Sequence, residues 1–167
     1  MKSFIVFLIS IIVVILDQIT KLSVRYSFEY GIPHNIIGDW VRLTYIENPG
    51  MAFGIQVGGQ PFFTIFAVIA TVIIFIYILK ARNEKMSLNF ALAMILGGAI
   101  GNLIDRFLYG KVVDFVDVGF GNARWPIFNV ADSAVTIGMM ILIVFVVFDK
   151  SSKQTDETTE VAAEKKA

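Results

Sequence analysis

The 167-residue chain has no cysteine and only one histidine, His34. Without cysteine there can be no disulfide, no thiol nucleophile and no thiolate metal site. A single histidine excludes a zinc site of the H-E-x-x-H kind, and no G-x-S-x-G motif accompanies it as in a serine hydrolase. His34 lies between Pro33 and Asn35, so it is predicted to be a loop residue. We therefore expect chemistry that uses neither a metal nor a cofactor.

Charged residues are also scarce, at 17% of the chain, and the 14 basic and 14 acidic side chains cancel. A neutral chain offers no electrostatic support for a nucleic-acid partner. Apolar residues make up 56% of the sequence, and the mean hydropathy is +0.73. Several apolar runs approach the ~20 residues that a helix needs to cross a bilayer. This composition predicts a membrane protein of one domain.

Four apolar segments are predicted to span the membrane, at about residues 4–24, 61–79, 88–108 and 127–148. The first begins like a signal peptide, but it continues through polar residues and no small-x-small cleavage site follows, so we expect it to be retained. The second carries no polar chemistry and is predicted to face lipid. Residues 1–150 then form a single membrane-embedded domain, followed by a disordered tail at 151–167.

The two longer connections, residues 25–60 and 109–126, contain signs of a small sheet. Val41–Ile46 alternates as a strand does. Residues 53–57 are a second possible strand, and Val112–Val116 is either a strand or a continuation along the membrane interface. We expect a small β-sheet at the membrane surface.

An even number of spans places both termini on the same side of the membrane. Eight basic residues lie on that side, whereas only four lie in the opposite loops once Lys21 and Arg106 are assigned to helices. The eight are Lys2, Lys80, Arg82, Lys85, Lys150, Lys153, Lys165 and Lys166; the four are Arg25, Arg42, Lys111 and Arg124. The positive-inside rule therefore predicts cytoplasmic termini.

Polar residues within the spans need partners or a function, because they are costly in hydrocarbon. Asp17 and Lys21 share one helix face at i, i+4 spacing. They either form a structural ion pair near the interface, with Lys21 snorkelling outward, or take part directly in substrate binding. Asn102, Asp105 and Arg106 share a face that is predicted to turn inward. Arg106 is a plausible partner of either Asp17 or Asp105.

Glycines and an asparagine punctuate the same segments. Gly97 and Gly101 form a small-xxx-small pair that permits close helix packing. Gly110 is a natural helix terminator. Asn48, in the turn Asn48-Pro49-Gly50, can be explained by the turn alone.

Two carboxylates, Asp114 and Asp132, have no obvious basic neighbour in the sequence. Asp132 also has a structural explanation, because Asn129 and Asp132 fit a capping-box variant at the start of the fourth span. If the two acids meet, they cannot both ionise cheaply and will share one proton near neutral pH. Such a pair can activate water and protonate a leaving amine. We predict a hydrolytic dyad at the membrane surface.

Five motifs in order resemble those of the bacterial lipoprotein signal peptidase family, also called signal peptidase II. They are DQITK at 17–21, NPGMAFG at 48–54, GNLIDR at 101–106, VVDF at 112–115 and FNVAD at 128–132. The resemblance extends from about residue 10 to 148. Met51 stands where the family usually has alanine, which leaves the shape of this rim less well defined.

The resemblance implies a membrane aspartyl endopeptidase that removes the signal peptide from diacylglyceryl-modified prolipoproteins, just before the lipidated cysteine. Its catalytic pair would be Asp114 and Asp132. Its substrate-binding or site-supporting residues would be Asp17, Lys21, Asn48, Asn102, Arg106 and Asn129. Asp105 would be structural, and Asp117 is interpreted as a loop acid.

The implied fold is a membrane all-α bundle of four transmembrane helices with a small extracytoplasmic β-sheet cradle. We expect a multi-pass monomer in the bacterial inner membrane whose partners are prolipoprotein substrates and membrane lipids. The alternative is a small ion-coupled membrane carrier in which Asp17, Asp105 and Asp132 form a carboxylate proton relay.

Overall fold

A computed structural model of the chain describes residues 2–50, 59–80 and 84–164. Its elements in chain order are α1 (Lys2–Ser27), β1 (Pro33–Ile37), β2 (Val41–Asn48), α2 (Gly59–Lys80), α3 (Met86–Tyr109), β3 (Val112–Phe120), β4 (Ala123–Arg124) and α4 (Val130–Glu164). The predicted strand at 53–57 and the rim around Met51 lie outside the described residues.

The four helices contain segments long and apolar enough to cross a membrane, which confirms the predicted number of spans. These segments are Phe4–Ser27, Pro61–Lys80, Met86–Tyr109 and Val130–Phe148. The first and third are slightly longer than predicted. The fourth starts three residues later than predicted, because Phe128 pairs with Val116 of β3 before the helix begins.

Helix α3 is the centre of the bundle and packs against α1, α2 and α4. More than half of its apolar span is buried (56%), whereas only 6% of the span in α2 is buried. Leu92, Ala93 and Leu96 of α3 form a core cluster with Val6 of α1 and Ile78 of α2. As predicted, α2 presents most of its apolar surface outward.

Glycines in α3 let its two neighbours approach closely. A Cβ atom at Gly97 would lie 2.7 Å from Cβ of Val13, and one at Gly98 would lie 2.4 Å from the Ala131 carbonyl oxygen. The first contact is with α1 and the second with α4. Close approach at Gly97 agrees with the predicted small-residue motif, whereas the contact of Gly98 with α4 was not predicted. Gly110 ends α3 in the left-handed conformation, with φ at 72°, as predicted.

The four strands form one antiparallel sheet in the order β1-β2-β3-β4. The sheet lies at the end of the bundle where α1 and α3 end and where α2 and α4 begin. Strand β2 confirms the prediction for Val41–Ile46, and β3 decides the open choice at Val112–Val116 in favour of a strand. Tyr45 of β2 and Phe115 of β3 pack on Val24, which attaches the sheet to α1.

His34 is not a loop residue as predicted but belongs to the exposed edge strand β1. The ring of His34 makes an edge contact with the ring of Phe28, with centroids 4.8 Å apart. The preceding proline misled the prediction, because proline is tolerated at the first residue of an edge strand.

The end of the chain also differs from expectation. The sequence predicts disorder from residue 151, whereas α4 continues as helix to Glu164. Its last part, residues 151–164, contains lysine, glutamine, glutamate and alanine. These residues favour helix, and extending an existing helix is much easier than starting one.

The contact between Gly98 and α4 yields a stability prediction. In a Gly98→Ala variant the added methyl group would meet the backbone oxygen of Ala131, so α4 would have to move away from α3. Overpacking of this kind costs about 1–3 kcal/mol. We expect a lower Tm in detergent, measured by loss of helical circular dichroism. Val144→Ile, which adds a carbon on an exposed face of α4, is the matched control; equal Tm values for both variants would contradict the close packing.

Candidate active site

Asp114 lies in β3 and is almost fully buried, with 2% of its surface exposed. Antiparallel pairing places it opposite Ile46 of β2. The side-chain amide of Asn48, near the end of β2, donates to Asp114 Oδ2 at 3.0 Å. The side-chain amide of Asn129 donates to Asp114 Oδ1 at 2.7 Å. Both oxygens of this carboxylate are therefore held by uncharged donors.

Asp132 lies in the first turn of α4 and is half-buried. Its Oδ2 accepts from the backbone N–H of Asn129 at 3.2 Å, while the Asn129 Oδ1 accepts from the backbone N–H of Asp132 at 2.9 Å. This reciprocal pair confirms the predicted capping box. In addition, the side-chain amide of Asn102 in α3 donates to Asp132 Oδ1 at 2.7 Å.

Asn129 joins the two carboxylates. Its side-chain nitrogen binds Asp114, and its backbone N–H binds Asp132. Its side chain is completely buried, so this bridge is fixed. The structure thus brings Asp114 and Asp132 close together, although they belong to a strand and a helix with β4 between them in the chain.

The electrostatics of Asp114 reflect this position. Burial, together with the nearby charge of Asp132, raises the pKa of Asp114 to about 7. Hydrogen bonds from Asn48 and Asn129 and the charge of Lys21 oppose the rise. The pKa of Asp114 therefore lies near neutrality, where the group can both hold and release a proton.

Asn48 holds the turn and also contacts Asp114. Its Oδ1 accepts from the backbone N–H of Gly50 at 2.9 Å, which holds the turn. Gly50 has a positive φ of 104°, a conformation that favours glycine. The other end of the same amide binds Asp114, so the turn orients the donor.

Arg106 does not form the ion pair with Asp17 or Asp105 that the sequence suggested. Its Nη1 donates to the backbone oxygen of Asn102 at 3.3 Å. Its guanidinium lies within electrostatic reach of Asp132, Asp114 and Asp105, with Asp132 acting most strongly. The charge of Arg106 therefore interacts with both acids, while the ion pairs of Asp17 and Asp105 are made with Lys21.

Lys21 is buried, with 2% exposure, and does not snorkel outward. Its Nζ lies 2.8 Å from Asp17 Oδ2, 3.2 Å from Asp105 Oδ2 and 2.9 Å from Asn102 Oδ1. Lys21 points inward because α3 supplies two acceptors for its ammonium group, the Asp105 carboxylate and the Asn102 side-chain oxygen. Asp105, as predicted, faces the interior.

Gln18 belongs to the same cluster, and the sequence reasoning did not select it. Its side-chain nitrogen lies 3.2 Å from Asp17 Oδ2, 3.1 Å from the Gly101 oxygen and 3.0 Å from Asp105 Oδ1. A polar residue next to Asp17 in an apolar segment was a signal that could have identified it.

Asp117 was interpreted as a loop acid, which is wrong. It lies in β3 with 4% exposure, and its Oδ1 lies 2.5 Å from Nε of Arg124 while its Oδ2 accepts from Thr44 at 3.1 Å. Asp117 is on the same strand as Asp114 but has its own ion pair. It is therefore a structural residue of the sheet.

The arrangement has the elements of acid–base hydrolysis. Two neighbouring carboxylates, one with a pKa near neutrality, can hold one proton between them. The surrounding amide donors fix their orientation without forcing both to ionise. Among the described residues, no group of three or more histidine, cysteine or acidic side chains is arranged to hold a metal ion.

The chain resembles known proteins over most of its length. The family model described as signal peptidase (SPase) II matches residues 9–148. A lipoprotein signal peptidase of Desulforapulum autotrophicum is 44% identical over 149 residues, covering 86% of this chain and 91% of that protein. One from Burkholderia thailandensis is 45% identical over 139 residues, covering 81% and 82%.

Two solved structures described as bacterial membrane enzymes share the fold. The first has a TM-score of 0.80 at 36% identity and covers 89% of this chain and 90% of its own. The second has a TM-score of 0.72 at 34% identity and covers 84% and 91%. With the family match extending over most of its length, the chain belongs to the signal peptidase II family, a family of multi-pass bacterial membrane peptidases.

Proposed function

We propose that this peptidase removes the signal peptide from diacylglyceryl-modified prolipoproteins by aspartyl chemistry, with Asp114 and Asp132 as the catalytic dyad. The relatives are named lipoprotein signal peptidases, which gives the substrate class. The observation that carries the choice of residues is the Asn129 bridge, because it holds one oxygen of each carboxylate. Diacylglyceryl recognition and cleavage just before the lipidated cysteine follow from the family resemblance.

In this mechanism the dyad carries one proton. The ionised carboxylate takes a proton from water as the water oxygen attacks the scissile carbonyl carbon. The protonated carboxyl group donates a hydrogen bond to the carbonyl oxygen, and a proton then passes to the leaving amine as the C–N bond breaks. Both acids are regenerated with one shared proton, so neither a metal nor a covalent intermediate is required.

The asparagines are assigned as positioning residues and Arg106 as a residue that faces the substrate. Asn48 and Asn129 orient Asp114, while Asn102 and Asn129 orient Asp132. Such donors reduce the reorganisation that the reaction would otherwise require. Arg106 lies close to the dyad and has a planar fork of donors suited to peptide carbonyls.

The sheet end of the bundle is assigned to the extracytoplasmic side, with both termini in the cytoplasm. The excess of lysine and arginine near the termini supports this orientation. A signal helix and two acyl chains would partition into the bilayer, so the scissile bond would arrive at the depth of the membrane surface. Confinement to that surface lowers the entropy cost of positioning the substrate, a cost that otherwise opposes catalysis.

The first test is removal of each dyad member. Asp114→Asn and Asp132→Asn should each lower kcat by about 10²–10⁴-fold, the usual contribution of general acid–base catalysis, because either change removes one of the two groups that share the proton. Cleavage of a diacylglyceryl-modified prolipoprotein by purified protein in detergent measures the effect. Asp117→Asn, on the same strand and similarly buried, should keep its activity. Substantial cleavage by either dyad variant would rule out the mechanism.

The second test is the pH dependence of kcat/KM. As pH rises through the pKa of Asp114, about 7, the shared proton is lost, so activity should fall on the alkaline side. Asn48→Ala removes a donor that stabilises the ionised form and should move this alkaline limb to higher pH. Asn35→Ala, an exposed change in β1, is the control. An unmoved limb in Asn48→Ala would contradict the assignment of the limb to Asp114.

A further inference from the structure

Lys21 is a buried cation whose charge acts on Asp114, although its ammonium group makes its contacts with other side chains. The ammonium group of Lys21 contacts three acceptors, the carboxylates of Asp17 and Asp105 and the side-chain oxygen of Asn102. An ammonium has three N–H donors, so these contacts use all of them. Each of the three acceptors then makes a second contact that leads toward the dyad.

Asp17 and Asp105 each accept from one backbone N–H at the start of a dyad segment. Asp17 Oδ1 accepts from the N–H of Ala131 at 2.9 Å, and Asp105 Oδ2 accepts from the N–H of Val113 at 3.1 Å. Ala131 immediately precedes Asp132, and Val113 immediately precedes Asp114. The two carboxylates therefore fix the backbone next to both acids.

Asn102 makes the third connection. Because Lys21 only donates, the Asn102 side chain must turn its oxygen toward Lys21 and its nitrogen toward Asp132. The observed contacts have this orientation, with Asn102 Nδ2 donating to Asp132 Oδ1 at 2.7 Å. Reversal of the amide would place two donors face to face.

Gly101 of α3 leaves room for the Asp17 carboxylate of this cluster. A Cβ atom at Gly101 would lie 2.5 Å from Asp17 Oδ2, so only glycine lets the carboxylate fit against α3. Asp17 has no exposed surface, and Asp105 is 1% exposed. Charges buried this deeply in a membrane bundle point to a function beyond general stability.

We propose that Lys21, through Asp17 and Asp105, is a positioning device that sets the separation of Asp114 and Asp132. This inference rests on the proposed dyad. One rigid ion cluster holds the first turn of α4 and the start of β3 at a fixed distance from each other. None of its three charged groups touches the reacting atoms, so they are positioning residues.

A matched pair of variants separates the position of the backbone from charge. Asp105→Asn and Asp105→Ala both remove the same negative charge, but asparagine keeps an oxygen that can accept from Val113 N–H. Electrostatic effects of the lost charge on the dyad are therefore common to both variants. Any difference between them in kcat or pH profile reports the hydrogen bond to β3.

We expect Asp105→Ala to lower kcat about 100-fold, as a misplacement of about 1 Å can do, with KM unchanged. Asp105→Asn should stay within about tenfold of the parent enzyme, since it keeps the same tether. In Asp105→Ala the dyad would spread, so the charge of Asp132 would raise the pKa of Asp114 less. The alkaline limb of kcat/KM should then lie at lower pH than in Asp105→Asn.

The control pair is Asp117→Asn and Asp117→Ala, on the same strand but held by Arg124 and Thr44. These two should differ in Tm but share one pH profile. If Asp105→Ala fails to fold, Asp105→Glu replaces it, because glutamate keeps the charge for Lys21. Its extra methylene would displace Val113 and should lower kcat about tenfold without changing KM.

Equal kcat values and equal alkaline limbs for Asp105→Asn and Asp105→Ala would overturn the inference, as would an unchanged kcat in Asp105→Glu where that variant is used. A shift of similar size in the Asp117 pair would also overturn it, because the effect would then be a general loosening of β3. Failure of the proposed function looks different: Asp114→Asn or Asp132→Asn would itself retain cleavage.

Discussion

Placing an ammonium group inside a bundle of apolar helices costs free energy, and carboxylate partners with good geometry offset much of that cost. Lys21 meets this requirement with one acid from its own helix and one from α3. Both acids contact the cation and also accept from backbone N–H groups, Asp17 through its other oxygen from α4 and Asp105 through the same Oδ2 from β3. The polar centre therefore connects three helices and the sheet, and the glycines of α3 make the short distances possible.

Asn129 likewise combines a structural role with contacts to both carboxylates. The first N–H groups of a helix need acceptors. In a capping box the side chain of the N-cap residue accepts from the N–H three residues later, and the side chain of that later residue accepts from the N-cap N–H. Here the acid of the box is Asp132, so the capping bonds also orient a carboxylate at the edge of the bundle. The cap residue has one more donor, which reaches Asp114. A structural explanation and a catalytic proposal for Asp132 are therefore compatible, because the same bonds serve both.

Sequence patterns were sufficient to predict the four spans, the strand β2, the capping box and the helix end at Gly110, and they left β3 as one of two alternatives. They could not choose a partner for Lys21, because i, i+4 spacing fixes the face of one helix and not the rotation of that helix against another. For the same reason Arg106 was paired with acids that Lys21 holds. Asp117 was left in a loop because the candidate strand ended at Val116, whereas β3 continues to Phe120. The prediction that Asp114 and Asp132 lie close together depended on the family motifs, since the sequence positions of two isolated acids say little about the distance between them.

The kind of donor around the proposed dyad also follows from its chemistry. An arginine or lysine bonded directly to Asp114 would stabilise the ionised form and remove the shared proton. Asparagine amides orient a carboxylate while favouring ionisation less, so the pKa of Asp114 stays near neutrality despite its two hydrogen bonds. The positively charged Lys21 is instead paired with the carboxylates of Asp17 and Asp105. A membrane peptidase built in this way can use a buried cation for rigidity without losing the proton on which its proposed mechanism depends.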